Sequence, residues 1–145
     1  MRILFFAGLL CAAAAQQAAA WSLDKGPNWV VTQERASGRM VDLRCSRGQG
    51  KALQMTITGQ GLPALRSVML WVTASDGRTT RMPVDVDFVE QALVGRVMVS
   101  GTTLDAFGNG ARFEVTAGGT SQVLFQSGMQ GTGAVRLAML ERCGF

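Results

Sequence analysis

The strongest constraint on this chain is a pair of distant cysteines, Cys45 and Cys143, that follow an N-terminal segment of export-signal type. In an oxidising compartment an even pair of cysteines is typical of a disulfide. The bond would close a loop across 98 positions, which in the chain-entropy model stabilises a fold by roughly 4–5 kcal/mol. We therefore predict one Cys45–Cys143 disulfide; two free buried thiols are the alternative.

Residues 1–20 are laid out like a secretory signal peptide. Arg2 gives the positive start, and residues 3–10 form an apolar run of suitable length. Ala18 and Ala20 supply the small side chains that signal peptidase requires before the cut. We therefore expect the protein to be exported by a bacterium, as a periplasmic or secreted protein.

Cleavage is predicted between Ala20 and Trp21, which leaves 21–145 as a single secreted domain. An earlier cut after Ala15 is the alternative, because Ala13 and Ala15 also fit the required pattern. No stable membrane insertion is expected once the signal is removed.

The first segment also has two features of a membrane anchor or a lipoprotein signal. An uncut anchor would use residues 3–20, but Gln16 and Gln17 interrupt the apolar run. Lipidation of Cys11 would require a small residue before it, and position 10 is Leu10. Cys11 is therefore expected to leave with the signal.

Composition argues against the common catalytic mechanisms. Hydrophobic residues make up 48% of the 145 residues and charged ones 17%, which suits a packed domain. Histidine is absent, which excludes Ser-His-Asp, Cys-His and His-ligated metal chemistry. The net charge of +4, which falls by one if Arg2 is removed, comes without a basic run that alternates with aromatics, so nucleic acid is not an expected partner.

Most of the chain after Trp21 alternates like short strands separated by glycine turns. Within 40–45 the core face is predicted to hold Val41, Leu43 and Cys45. The predicted strands, in chain order, are 29–32, 40–45, 52–58, 67–74, 79–84, 94–99, 112–116 and 122–126, with 84–99 ambiguous.

The run 67–74 is apolar at almost every position, which predicts a central strand covered on both faces. Asp76 and Gly77 then predict a hairpin turn. Pro83 cannot donate to a ladder, so it marks a sheet edge, a bulge or the end of the strand.

The last segment changes to a helical period after Gly133. Thr132 is the predicted cap, Cys143 lies at the helix end and Gly144 is the stop. A single helical turn is predicted over 103–107, capped by Thr103. The predicted fold is α+β: an antiparallel meandering sheet with a C-terminal helix tied to it by one disulfide.

The stretch VLFQSGMQGTGAVRLAMLERCGF, residues 123–145, resembles the ending of VasI-type proteins, which are associated with type VI secretion. In that family a strand, a glycine turn and a helix lead to a terminal cysteine with an aromatic two residues on, here Cys143 and Phe145. The resemblance implies an envelope protein and matches Cys45 to the family's partner cysteine.

Residues 104–140 also resemble the closing part of invasion-associated locus B proteins, which have a short helix, two strands and a glycine-led final helix. That family usually carries more cysteines than this chain. Each resemblance covers about the last third of the chain together with Cys45. Neither implies an enzyme.

Several local patterns only partly match known catalytic or ligand-binding motifs. The segment 48–51 lacks the glycine and the hydroxyl residue of a phosphate loop, so a hairpin turn is favoured. The acidic residues Asp85, Asp87 and Glu90 have no EF-hand spacing and fit a solvent-facing strand. A serine–lysine pair would need Lys25 or Lys51 and is not favoured over chance.

Scattered methionines favour core filling over copper binding. Trp21, Trp29 and Trp71 are expected in the core or at its edge, and Trp29 and Trp71 form the candidate binding surface.

No catalytic residue, metal or cofactor is predicted. The predicted function is a non-enzymatic envelope module that binds a protein partner or a cell-surface component, accessory to secretion or host interaction. The alternative is a carrier of small apolar ligands, or an inhibitor, with a pocket on a sheet face.

Overall fold

The computed structural model describes residues 20–145; the predicted signal, apart from Ala20, and Cys11 lie outside the described residues. Residues 20–145 form nine strands and two helices. They are β1 (Ser22–Lys25), β2 (Trp29–Ala36), β3 (Arg39–Ser46), β4 (Ala52–Gly59), β5 (Ser67–Ala74), β6 (Thr79–Val89), β7 (Ala92–Met98), α1 (Gly101–Asn109), β8 (Gly110–Ala117), β9 (Val123–Gly128) and α2 (Thr132–Cys143).

All nine of these strands belong to one antiparallel sheet, in the order β1-β2-β3-β4-β7-β6-β5-β8-β9. β1 to β4 follow one another as a meander. β5, β6 and β7 then run back through two hairpins, so that β7 pairs with β4 and β5 pairs with β8. The structure confirms the predicted α+β class, with the C-terminal helix as its last element.

The sheet curls so that its last strand approaches its first ones. The guanidinium of Arg39 donates to the carbonyl oxygen of Leu124 at 2.7 Å. Trp21 donates twice, from its indole nitrogen to Gly128 O at 3.0 Å and from its backbone nitrogen to Gln130 O at 2.9 Å. These bonds give a half-barrel whose inner face holds the core.

Alternating strand residues fill the inner face. Four aromatic rings, those of Trp21, Phe107, Phe113 and Phe125, meet edge to face, with centroid distances between 5.2 and 6.3 Å. Trp21 is only 4% exposed, so it is a core anchor as predicted. Met98, by contrast, is 71% exposed and fills no core position.

α2 packs on the first strands and is joined to β3 by the Cys45–Cys143 disulfide, with 5.9 Å between the two Cα atoms. The predicted bridge is confirmed, and the alternative of two free thiols is wrong. The predicted cap is also wrong. Gly131, with φ of 89°, precedes the helix, and the hydroxyl of Thr132 donates to Met129 O instead of capping. Gly144 ends the helix at φ 78°, as predicted.

α1 closes one end of the half-barrel with Leu104 and Phe107, both buried. It begins at Gly101 and is capped by Ser100, whose hydroxyl accepts from Thr103 N while Thr103 Oγ1 accepts from Ser100 N. The prediction of a single turn capped by Thr103 is therefore wrong. Thr103 is the third residue of a capping box, and the hydroxyl at position 100 does the capping.

Three strand predictions need correction. β1 was not predicted, because its four residues are all exposed and leave no alternating pattern. β5 is flanked by two strands but covered on one face only, since Met69 and Trp71 on the outer face remain partly exposed. β6 continues past the predicted end at Val84 to Val89, so residues 84–89, which the sequence left ambiguous, belong to this strand.

β6 changes partner along its length. Residues 79–85 pair with β5, and residues 86–89 pair with β7. Gly95 of β7 lies where the two strands begin to diverge. A Cβ there would come within 2.5 Å of the carbonyl oxygen of Asp85, so only glycine allows this approach. The half of β6 that contains Pro83 therefore has a ladder on one side only, as predicted for an edge.

Candidate binding surface

Trp71 lies on the outer face of β5, where strand alternation directs it away from the buried Val68, Leu70 and Val72. Its indole N–H donates to the hydroxyl of Thr116 on β8 at 2.9 Å. The bond fixes one edge of the ring, while the side chain stays partly exposed. Trp71 is therefore positioned on the surface and is not a second core anchor.

The strands on either side surround Trp71 with side chains of mixed chemistry. Arg81 of β6 and Glu114 of β8 lie directly opposite it in the two ladders. Met69, two residues earlier on β5, faces the same way. Together with Thr116 these residues line an open depression of about 510 Å³. One aromatic, one thioether, one cation and one anion thus meet on a rigid sheet.

Trp29, the other residue of the predicted binding surface, does not lie beside Trp71. It is 37% exposed at the start of β2, beside Gly26, whose missing side chain lets the indole ring approach. In the sheet order, four strands lie between β2 and β5. The structure therefore does not bring Trp29 and Trp71 into one surface, although the sequence grouped them.

The other sequence patterns considered as sites lie in strand connections or on the outer face of a strand. Residues 48–51 lie in the β3–β4 connection. Asp85 and Asp87 face outward on β6, and Glu90 occupies the β6–β7 turn. Within residues 20–145 no group of three or more Cys, Asp or Glu side chains is arranged to hold a metal ion.

A pocket on the inner face of the sheet is mostly filled. The space between α1 and the strands, lined by apolar side chains such as Leu53, Leu70 and Phe107, has a volume of about 20 Å³. Ligand pockets in proteins are usually ~300–1,000 Å³. The core packing thus gives no support to an apolar-ligand carrier.

Two carboxylates are buried on β2 and β3. Asp42 accepts from Gln33 Nε2 at 2.7 Å and from Arg44 Nε at 2.6 Å. The hydrogen bond with Asp42 raises the pKa of the Arg44 guanidinium. Glu34 Oε1 accepts from Arg35 N at 2.8 Å, and within the described residues Glu34 Oε2 has no hydrogen-bond partner.

From the sequence, Arg78 and Arg81 were interpreted as part of a solvated strand face, and the unpaired side of β6 next to Arg81 was not predicted. Pro83 was the one available signal, because a proline inside a strand indicates an edge. What could not be inferred is that this edge borders the Trp71 depression. That depends on β5 pairing with both β6 and β8.

The described residues contain no helix that is both long and apolar enough to cross a bilayer. Comparison with known proteins returns no match: no protein-family model, no curated protein and no solved structure is similar to this chain.

Proposed function

We propose that the chain is an exported, non-enzymatic module that binds a protein partner through the outer sheet face around Trp71. The observation that carries the proposal is the arrangement of Trp71, Met69 and Arg81 in one open depression. Trp, Met and Arg are the residue types enriched in protein interfaces, and buried Trp and Arg side chains carry most of the binding energy there.

The residues around Trp71 favour a protein over a small ligand. The depression is open and shallow rather than enclosed, and it lies on a sheet face whose strands fix its shape. Arg81 and Glu114, one on each side of Trp71, offer charges of opposite sign to a partner. Such charges orient a partner protein and exclude wrong ones.

A non-enzymatic role is also supported by composition. The sequence contains no histidine, the side chain most often used for proton transfer near neutral pH.

Export is supported by the disulfide, because such bonds persist in oxidising compartments such as the periplasm or the cell exterior. The resemblances to VasI-type and invasion-associated locus B proteins suggest a role accessory to secretion or host interaction. Cell fractionation with a C-terminal tag, together with N-terminal sequencing, tests this step. A protein that starts at Trp21 in the periplasm or medium supports it.

The binding face is tested by capture from periplasmic extract with the tagged protein and three variants. We expect Trp71→Ala to reduce recovery of a specific partner by more than tenfold, since losing an aromatic hot spot costs about 2 kcal/mol or more. Trp71→Phe should restore part of the binding. Trp29→Ala, which removes a surface tryptophan on a distant strand, is the matched control and should bind normally.

Equal capture by wild type and Trp71→Ala would contradict the proposal, as would the absence of any partner above background. Each variant must show the melting temperature of the wild type within a few degrees, so that lost capture is not lost folding.

A further inference from the structure

The free side of β6 follows from the alternation of its hydrogen bonds. Ala74 N donates to Arg78 O, and Val86 N donates to Arg66 O. Because the β5–β6 register is regular between these two bonds, the even-numbered residues of β6 bond to β5. The backbone groups of the odd-numbered residues Thr79, Arg81 and Pro83 then point to the other side.

β7 does not occupy that side. Its pairing with β6 covers only residues 86–89 of β6 and ends at Gly95. Thr79 and Arg81 each present one N–H and one C=O to the gap, and Pro83 presents a C=O without an N–H. These groups extend along roughly 14 Å of strand, at about 3.4 Å per residue.

A groove lies beside the start of this edge. It has a volume of about 530 Å³ and separates the edge residues Thr79 and Thr80 from Thr102, Asp105 and Asn109 of α1. One wall is thus a strand with unpaired backbone groups, and the other is a helix with polar side chains. Extended peptides bind in clefts of this kind by adding a strand to a sheet edge.

The charges at the edge indicate what such a strand would carry. Arg81 faces outward at its centre, and within residues 20–145 it forms no ion pair. Asp105 of the groove is neutralised by its ion pair with Arg136. On the inner side, Met82 is partly buried among apolar residues.

We propose that the free edge of β6 receives an extended segment of a partner protein as an added strand, with acidic residues opposite Arg81 and apolar residues opposite Met82. The inference rests on the proposed function, because the edge and the Trp71 depression share Arg81. Opposite charges directly across two strands stabilise their pairing, and the backbone bonds provide the remaining affinity.

Hydrogen exchange followed by NMR on the isolated 21–145 domain tests the edge itself. The amides of Thr79 and Arg81 should exchange at least roughly tenfold faster than those of Thr80 and Met82, which bond to β5. Equal protection of Arg81 and Met82 would overturn the proposal, because the edge would already be paired. Protection of Arg81 that rises with protein concentration would also overturn it, since a second copy would be the occupant.

A short, end-capped peptide in which valine and glutamate alternate is the probe for the occupant. Its addition should slow exchange at Thr79 and Arg81 and leave Thr80 and Met82 unchanged. A peptide with lysine in place of glutamate should bind roughly tenfold more weakly, and Arg81→Glu should reverse that preference. Methylation of alternate peptide nitrogens, which removes the donors, should abolish binding.

Failure of this experiment is distinct from failure of the proposed function. If the acidic peptide leaves Thr79 and Arg81 unprotected, the added-strand proposal is wrong, even when Trp71→Ala still abolishes capture of the partner. If the peptide protects them but capture is independent of Trp71, the edge is a binding site and the Trp71 face is not.

Discussion

β3 and the first half of β6 lie inside the same sheet but differ in how many of their sides are paired with a neighbouring strand. β3 has hydrogen-bonded neighbours on both sides and carries the disulfide to α2. Residues 79–83 of β6 have a neighbour on the β5 side only. We call residues 29–46 together with α2 the disulfide region, and residues 67–83 the open region. The backbone of β3 is therefore paired on both sides, whereas alternate backbone groups of residues 79–83 have no strand beside them.

An Asp-x-Arg pattern occurs in both regions and shows that they differ in burial. Asp42 and Arg44 in the disulfide region, and Asp76 and Arg78 in the open region, each form an ion pair two residues apart. The Asp42 side chain is only 4% exposed, while that of Asp76 is 53% exposed. The same spacing of Asp and Arg therefore gives an ion pair with a buried carboxylate in the disulfide region and one with an exposed carboxylate in the open region.

The largest expected effect is loss of the disulfide. Cys45→Ser should lower the free energy of unfolding by about 3–5 kcal/mol, because the bridge closes so long a loop of the unfolded chain. Denaturant unfolding with and without reductant measures it. The double variant Cys45→Ser with Cys143→Ser should lose no more than the single one, since both remove the same bond. Equal stability of the wild type in both buffers would contradict the bridge.

The disulfide region was also the easier one to predict. Its strands alternate cleanly because one face is buried, so the inward direction of Val41, Leu43 and Cys45 could be inferred. The helical period of the last segment located α2 to within two residues. The single bridge then followed from the number of cysteines and the predicted export.

The open region could be predicted only in part. The apolar run of β5 suggested burial on both faces, because hydrophobicity alone cannot tell that Trp71 faces outward with its N–H bonded to Thr116. The pairing of β4 with β7 joins distant segments, and no local pattern encodes it. The edge and the depression both depend on that strand order, so the candidate site could not be predicted from the sequence and was found only in the structure.

The second prediction contrasts the two ion pairs. Asp42→Ala should destabilise the protein by about 2 kcal/mol, because it removes a buried acceptor of three charge-assisted bonds from Gln33 and Arg44. Gln33 and Arg44 are partly exposed and regain water, which keeps the loss below that of a fully buried pair. Asp76→Ala is the matched control and should change the melting temperature much less. Equal losses would show that burial does not separate the two regions.

The third prediction concerns two tight turns. Ser37–Gly38 joins β2 to β3, and Glu90–Gln91 joins β6 to β7; all four residues have positive φ. Glycine adopts this conformation without strain, but Glu90 and Gln91 do not. Replacing them with Asn and Gly should therefore raise stability by about 1 kcal/mol, measured by denaturant unfolding.

Gly38→Ala gives the matched comparison in the disulfide region. A Cβ there meets no atom within 4 Å, so its expected loss of about 1 kcal/mol would come from backbone strain alone. If the Asn-Gly turn left stability unchanged, strain at Glu90 and Gln91 would not distinguish the two hairpins.

The smallest expected effect is the acid sensitivity of the open region's turn. Arg78 N–H donates to Asp76 Oδ1 at 3.0 Å and the Arg78 guanidinium to Oδ2 at 2.7 Å, which lowers the pKa of Asp76 below its ordinary value of 3.8. A lowered folded pKa gives stabilisation that is complete above 3.8 and is lost as the pH falls through the folded value.

NMR titration of the Asp76 carboxyl should give a midpoint below 3.8. Arg78→Gln should move that midpoint upward without restoring it fully, because the backbone N–H remains. A midpoint at or above 3.8 in the wild type would contradict the prediction, because it would mean that water has replaced both bonds to the Asp76 carboxylate.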